Sequence, residues 1–265
     1  MRSPPKTIRF PTFAHQILSA SPPETFINWL ICSGYINQEN AVAVLIKEVL
    51  DELLDLFDDS KVLPTIIVRV KQSPLARQRR KGGVQVTLEM VNFGIKRQQA
   101  ISMFGRQTDG GLFSRGRKRV GAILATVWSM KNGGRGVAVT IKQMRMQAAI
   151  RFRIQSNLSD GTARVFLLKP ARWKATVGSK IEFACRGRVV RRGKNSLARF
   201  LRAYANMNSH LQIEFYDGKN LCFGMDRSSV QAPLIDEAKI RKTYLRWLNW
   251  DEMNGYSKIN RADTP

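Results

Sequence analysis

The residues of this sequence best suited to chemistry are an acidic pair, Glu48 and Glu52, and a basic glycine-rich loop between Ser114 and Gly121. The acidic pair lies in a segment whose apolar residues recur at three- and four-residue spacing, at Val44, Leu45, Val49, Leu53 and Leu56. This spacing predicts a helix with one buried stripe, and residues four apart share one of its faces.

The loop reads Ser114-Arg115-Gly116-Arg117-Lys118-Arg119-Val120-Gly121 and leads into an apolar run at residues 122–128. The run predicts a buried helix, and the first turn of a helix leaves backbone N–H groups free to meet anions. A carboxylate-bearing helix and an anion-binding helix start are both parts of an ATP pocket. Taken singly, each has a plainer interpretation: the acidic pair as a solvated face, the loop as a surface turn or a nucleic-acid contact.

The order of these segments resembles the ATPase domain of the B subunit of topoisomerase VI, whose superfamily, GHKL, also contains gyrase, Hsp90 and MutL. The resemblance runs from about Ala41 to about Asn220. The family's helix pattern K-E-L-V-D-N-S-L-D-A is matched at identical spacing by Lys47, Glu48, Asp51, Leu54 and Asp55. Further matches follow in the family's order: Asn92 to Lys96 for D-N-G-I-G, Phe104-Gly105-Arg106 for F-G-R, Ser114 to Gly121 for the lid, and Val177 to Ile181 for the H-G-T-x-V strand.

The resemblance implies a nucleotide site in which Glu48 stands at the general base that activates water. The remaining ATP-binding positions fall on Glu52, Asn92, Gly94, Gly116, Gly121 and Ser179. Glu52 replaces the Mg²⁺-binding Asn and adds negative charge beside a triphosphate, while Asn92 replaces the adenine-reading Asp with a neutral, weaker acceptor. Lys96 and Arg119 replace glycines at points of close approach to the ligand. We therefore expect a degenerate site that binds ATP and Mg²⁺ weakly or not at all.

The charge of the chain is the second strong signal. The formal net charge is +24 and the pI is about 10.7, which favours a polyanionic partner. The resulting prediction is duplex DNA, bound through its phosphates without sequence preference by Arg77, Arg79, Arg80, Lys81, Arg188, Arg191 and Arg192. Solvated loops, or a surface for an acidic protein, are the alternatives. The basic residues 115–119 are left outside this prediction because a lid faces its own pocket.

Length and composition set outer bounds. A chain of 265 residues with 43% hydrophobic content can bury a full core. No apolar run reaches membrane-spanning length and the first residues lead into no secretory signal, so we expect a soluble intracellular protein with no membrane partner. The cysteines lack paired spacing, which indicates free thiols in a reducing compartment: Cys32, Cys185 and Cys222.

The predicted fold class is α+β, a GHKL-type two-layer sandwich in which helices cover one face of a mixed, mostly antiparallel sheet. Helices are expected at about 40–58, 119–130 and 195–207. Strands are expected near 64–71, 84–92, 136–144, 147–156, 162–169 and 179–186, with a last hairpin at 212–216 and 221–223. Residues 1–22 would form an N-terminal lead, 23–224 the GHKL-like domain, and 225–265 a helical tail that resembles the start of a helical or transducer region.

These features predict a topoisomerase VI B-like, DNA-associated scaffold that is a pseudo-ATPase. The resemblance to degenerate meiotic relatives implies an A-subunit-like transesterase as partner, in a heterotetramer that makes DNA double-strand breaks. It further implies a nuclear location in a eukaryote, and otherwise the cytoplasm or nucleoid. One alternative is an active GHKL ATPase subunit that hydrolyses ATP within a type IIB topoisomerase. Another is an unrelated basic nucleic-acid-binding module. ATP binding separates the first two, and the fold separates both from the third.

Overall fold

A computed structural model describes residues 36–72, 83–105, 121–157, 162–170, 173–193 and 195–230. The described elements, in chain order, are α1 (Ala41–Asp59), β1 (Thr65–Gln72), β2 (Gly83–Val91), α2 (Arg97–Gly105), α3 (Gly121–Lys131), β3 (Val137–Lys142), β4 (Ile150–Asn157), β5 (Thr162–Leu167), β6 (Gly178–Arg186), α4 (Leu197–Met207), β7 (Gln212–Asp217) and β8 (Asn220–Met225). No helix among these residues is both long and apolar enough to cross a membrane.

The strands form one eight-stranded sheet in the order β5-β4-β3-β6-β2-β1-β7-β8. Every neighbouring pair is antiparallel except β1 and β7, which run parallel with Thr65 opposite Gln212. The sheet is therefore mixed and mostly antiparallel, and the predicted fold class is confirmed.

The helices lie on one face of this sheet because side chains alternate along each strand. In β1, Ile66, Val68 and Val70 are fully buried, whereas the residues between them are half-exposed. The inward-facing side chains join the buried faces of the helices in a single hydrophobic cluster. We call the opposite side of the sheet the outer face; it carries charged residues such as Arg69 and Lys180.

Most elements lie close to their predicted positions. The helix predicted at 40–58 is α1, and the strands predicted near 64–71 and 84–92 are β1 and β2. Helix α2 was not predicted, because it begins with the polar run Arg97-Gln98-Gln99 and buries only its later residues, Ala100 and 103–105. The predicted N-terminal lead at 1–22 and residues 231–265 of the predicted tail lie outside the described residues, so the domain boundaries stay predictions.

Candidate functional site

The turn after β2 is the first part of the predicted nucleotide site that the structure describes. Asn92 is exposed and has a φ of 59°, the left-handed region that asparagine tolerates better than most residues. A Cβ added to Gly94 would lie 2.9 Å from the carbonyl oxygen of Lys142. The turn thus packs so closely against the end of β3 that a side chain at residue 94 would not fit. This packing requires a glycine whether or not a ligand binds.

Ser179 lies beneath this turn and is fully buried. It stands opposite Met90 in the pairing of β2 with β6, so it points toward the helices. Its hydroxyl oxygen accepts a hydrogen bond of 2.8 Å from the backbone N–H of Ile95. The serine predicted to contact nucleotide thus fastens the turn to β6, because it satisfies a buried backbone donor.

An aromatic pair connects the same turn to α1. The rings of Phe57 and Phe93 have centroids 4.3 Å apart and are inclined by 31°. Ring pairs at this separation contribute beyond the area that they bury. Because of this contact, the C-terminal part of α1 packs against the turn. Three segments predicted to form the site, namely α1, the turn at 92–95 and the start of β6, are therefore neighbours.

Two acidic residues of α1, Glu48 and Asp51, share a basic partner. The Nζ atom of Lys47 lies 2.9 Å from Oε1 of Glu48 and 3.0 Å from Oδ2 of Asp51. The hydroxyl of Tyr204, on α4, donates a 2.7 Å hydrogen bond to Oδ1 of Asp51. Glu48 and Asp51 are partly buried, and Glu52 is only 7% exposed. One lysine thus joins two carboxylates, and one of these joins α1 to α4.

The ligand-binding roles of the remaining site residues stay predictions. Gly121 is the first residue of α3, while Gly116 and the rest of the lid lie outside the described residues. No cluster of three or more His, Cys, Asp or Glu side chains suited to a metal occurs within the described ranges. The prediction that Glu52 binds Mg²⁺ stays a prediction.

The predicted DNA-binding arginines lie near the C-terminal end of β6 or outside the described residues. Arg188 and Arg192 are exposed, whereas Arg191 makes two hydrogen bonds to the carboxylate of Asp217, one of them 3.1 Å long. These hydrogen bonds raise the pKa of Arg191 above its usual value. Outside the described residues lie four of the seven predicted DNA-binding residues, namely Arg77, Arg79, Arg80 and Lys81. DNA contact by this group stays a prediction, with Arg191 already engaged by a protein carboxylate.

Sequence reasoning missed the side chains that hold these segments together. In the sequence, Phe93 is only the middle of a turn motif, and Tyr204 is only one apolar position of a helix. Neither has a local signal, because Phe57 and Asp51, their partners, lie far away in the chain. The sequence pattern can indicate that an aromatic residue is buried, but it cannot identify the residue that it contacts.

No family model matches the chain. Curated proteins with similar sequence are B subunits of type 2 DNA topoisomerase 6. The subunit of Archaeoglobus fulgidus is 26% identical over 189 residues, which cover 69% of this chain and 30% of that protein. Those of Natronomonas pharaonis and Pyrococcus furiosus are each 23% identical, over 76% and 77% of this chain and 24% and 36% of theirs. The chain thus spans a quarter to a third of these relatives' length. The predicted resemblance to this subunit is confirmed.

Two solved structures are similar to the chain at lower sequence identity. The Aquifex aeolicus MutL ATPase domain complexed with ADP is 11% identical with a TM-score of 0.39, covering 74% of this chain and 67% of that one. The N-terminal domain of a DNA repair protein is 13% identical with a TM-score of 0.44, covering 75% of this chain and 56% of that one.

Proposed function

We propose that the chain is a topoisomerase VI B-like, DNA-associated scaffold with a degenerate ATP pocket, and that it supports an A-subunit-like transesterase in making DNA double-strand breaks. The observation that carries the proposal is the extended sequence similarity to topoisomerase 6 B subunits, combined with changes at the positions that would hold the nucleotide. The similarity extends over 189 residues, so the short motif matches do not arise by chance. This argues against the alternative of an unrelated basic nucleic-acid-binding module.

The contacts around the turn at 92–95 support weak or absent ATP binding. The Ser179 hydroxyl accepts the Ile95 N–H, and the space beside Gly94 is taken by the backbone of Lys142. Ser179 and Gly94 thus both have a structural role that needs no nucleotide. Asn92 supplies a neutral acceptor where an ionised one would bind an adenine amino group more strongly. The described residues therefore fit an adenine poorly, and no reaction step through ATP is derived.

The state of Glu48 supports the same conclusion. Its carboxylate lies 2.9 Å from the Lys47 ammonium, which occupies one of its oxygens. A general base must reach the water that it deprotonates, in a geometry set by the substrate. Glu52 adds a negative charge four residues along the same helix, where a triphosphate would be repelled.

A scaffold of this kind would work with a second protein and DNA. The relatives are B subunits by name, so an A-subunit-like partner is the natural complement, with nuclear action in a eukaryotic source. The net charge of +24 supports contact with DNA phosphates.

Isothermal titration calorimetry with ATP and Mg²⁺ tests the pocket. We expect little or no heat, and a gain in binding when Glu52→Asn and Arg119→Gly are combined, since together they remove a repulsive carboxylate and a bulky lid side chain. Micromolar, Mg²⁺-dependent ATP binding by the unaltered chain, together with ATP hydrolysis that is lost in Glu48→Gln, would instead establish the active ATPase alternative.

Co-expression with a topoisomerase VI A-like protein tests the scaffold role. The expected result is a complex that survives size exclusion and cleaves DNA without added ATP. A chain that neither co-elutes with such a partner nor alters its cleavage would contradict the proposal, whatever the calorimetry shows.

A further inference from the structure

A group of arginines lies on the outer face of the sheet at its β4–β5 side, away from the predicted nucleotide site. Arg153 projects outward from β4 between the inward-facing Phe152 and Ile154. Arg164 projects outward from the edge strand β5 and is exposed. Because Arg153 pairs with Phe166 and Arg164 with Gln155, the two arginines are diagonal neighbours, roughly 7–8 Å apart at their backbones.

A third arginine is held above the same strands by a tight loop. Arg135 lies between two glycines and is exposed. A Cβ on Gly136, whose φ is +83°, would lie 2.2 Å from the carbonyl oxygen of Ile154, so the loop touches the backbone of β4. The Arg135 carbonyl accepts a 3.2 Å hydrogen bond from the Gln155 side chain. The loop therefore fixes the backbone of Arg135 beside β4, within reach of Arg153, whose pKa the Arg135 charge lowers.

These three guanidinium groups lack acidic partners among the described residues. Their neighbour Arg151 does have one, because its guanidinium lies 3.0 Å from Glu182. The pKa of Arg153 is lowered, chiefly by partial burial and then by repulsion from Arg135 and Arg151. Like charges held together at a surface repel one another, and a bound polyanion would relieve this repulsion.

An aromatic side chain lies among the arginines. Phe166 stands directly opposite Arg153 on the outer face and is 46% exposed, so its ring is accessible from solvent. Positive groups that follow a phosphate backbone, together with an exposed ring on which a base can stack, are the features of surfaces that bind single-stranded nucleic acid.

We propose that the outer arginine patch, formed by Arg135, Arg153, Arg164 and Phe166, binds single-stranded nucleic acid. The guanidinium groups contact successive phosphates, and the Phe166 ring stacks on an unpaired base. A duplex fits less well, since its bases are stacked on one another and, among the described elements, none on this face of the sheet is a helix or ribbon that could enter a groove. The proposal does not rest on the topoisomerase-like role, and it concerns a surface separate from the cluster at 188–192.

The charge contribution is tested by fluorescence anisotropy with a labelled oligo-thymidine strand and a duplex of equal length. The double variant Arg153→Ala/Arg164→Ala should bind the single strand more weakly, with a salt slope smaller by roughly 1.4, or about 0.7 for each phosphate that is no longer neutralised. Arg199→Ala/Lys219→Ala is the matched control, because it removes two exposed positive charges outside the patch. The proposal is wrong if the patch variant loses no more affinity than this control.

The stacking contribution has its own variants. Phe166→Ala should weaken single-strand binding about ten-fold while leaving the salt slope unchanged, and Phe166→Trp should retain the affinity. Because Phe166→Trp keeps a ring in the strand, it also separates stacking from misfolding. Equal loss of duplex and single-strand affinity in Phe166→Ala, or no loss of either, would overturn the assignment.

Discussion

The backbone N–H of Ile95 donates a hydrogen bond to the hydroxyl of Ser179 at 2.8 Å, and both residues are buried. This contact fixes the turn after β2 to the first residues of β6. Water cannot take the place of the serine oxygen at such a buried position, so the contact has a measurable consequence for stability.

Ser179→Ala should lower the free energy of unfolding by about 1–3 kcal/mol, because it leaves the Ile95 N–H without an acceptor. Urea unfolding followed by circular dichroism measures this. Ser228→Ala, at an exposed hydroxyl, serves as the control and should change stability by less than about 0.5 kcal/mol. Equal stability of Ser179→Ala and the unaltered chain would show that the serine hydroxyl is not required by the turn.

Tyr204→Phe should also destabilise the fold, by about 1.5–3 kcal/mol, since it removes a hydrogen bond from a buried hydroxyl to the partly buried carboxylate of Asp51. The same substitution at Tyr216 is a matched control, because that hydroxyl bonds to Glu214 on the outer face, where water can replace it. Urea unfolding curves of the two variants and of the unaltered chain measure both losses. A smaller loss at Tyr204 than at Tyr216 would contradict the role given to the α1–α4 contact.

Cys185 should resist modification in the folded protein. Burial raises the pKa of its thiol to about 12, partly offset by a hydrogen bond with Trp128. In a Cys32→Ser background, a thiol reagent at neutral pH should therefore modify the exposed Cys222 alone, and Cys185 only after unfolding. Rapid labelling of two thiols in the native protein would contradict this burial.

The same pKa shift predicts a pH dependence. Between the ordinary thiol pKa of 9.0 and the folded value of about 12, the folded state keeps a proton that the unfolded state has lost. Stability should therefore fall as pH rises through this window. The slope should be shallower in Cys185→Ala than in the unaltered chain, as measured by urea unfolding at several alkaline pH values. Equal slopes of unfolding free energy against pH in the two proteins would contradict a raised pKa for Cys185.

The ion pair between Arg191 and Asp217 predicts unequal contributions to duplex DNA binding. Arg192→Ala should weaken binding and reduce the salt slope by roughly 0.9, whereas Arg191→Ala should do less because this guanidinium is shared with a carboxylate. Asp217→Asn should strengthen binding, since it releases Arg191 and removes a negative charge. Fluorescence anisotropy with a labelled duplex, measured at several salt concentrations, tests all three variants. Weaker binding by Asp217→Asn would mean that the pair positions the loop.

The strongly periodic parts of the fold were predictable from sequence. The apolar stripe of α1 and the alternation in β1 and β2 predict boundaries within about a residue, because burial of one face dictates those periods. A turn at residues 92–94 was predictable as well. Helix α2 was not, because its burial depends on packing against β4 and not on any stripe of its own.

The site was harder to predict because its decisive contacts are between residues distant in sequence. The sequence pattern places Gly94 in a nucleotide loop, yet its close neighbour is Lys142. The basic cluster predicts a DNA contact for Arg191, yet Asp217, 26 residues away in sequence, pairs with it. Residue type alone cannot reveal which charge or hydroxyl is already engaged. The aromatic and basic residues of the outer arginine patch are likewise brought together only by strand pairing.

The parallel pairing of β1 with β7 has a consequence for how the chain folds during synthesis. Thr65 and Gln212 face each other although 147 residues separate them. As the polypeptide leaves the ribosome, β1 can pair early with β2, but its other edge stays open until almost all of the described chain has emerged. Such non-local closure slows folding, and an open strand edge invites pairing with other chains. A nascent chain halted before residue 212 would therefore depend on chaperones to remain free of aggregation.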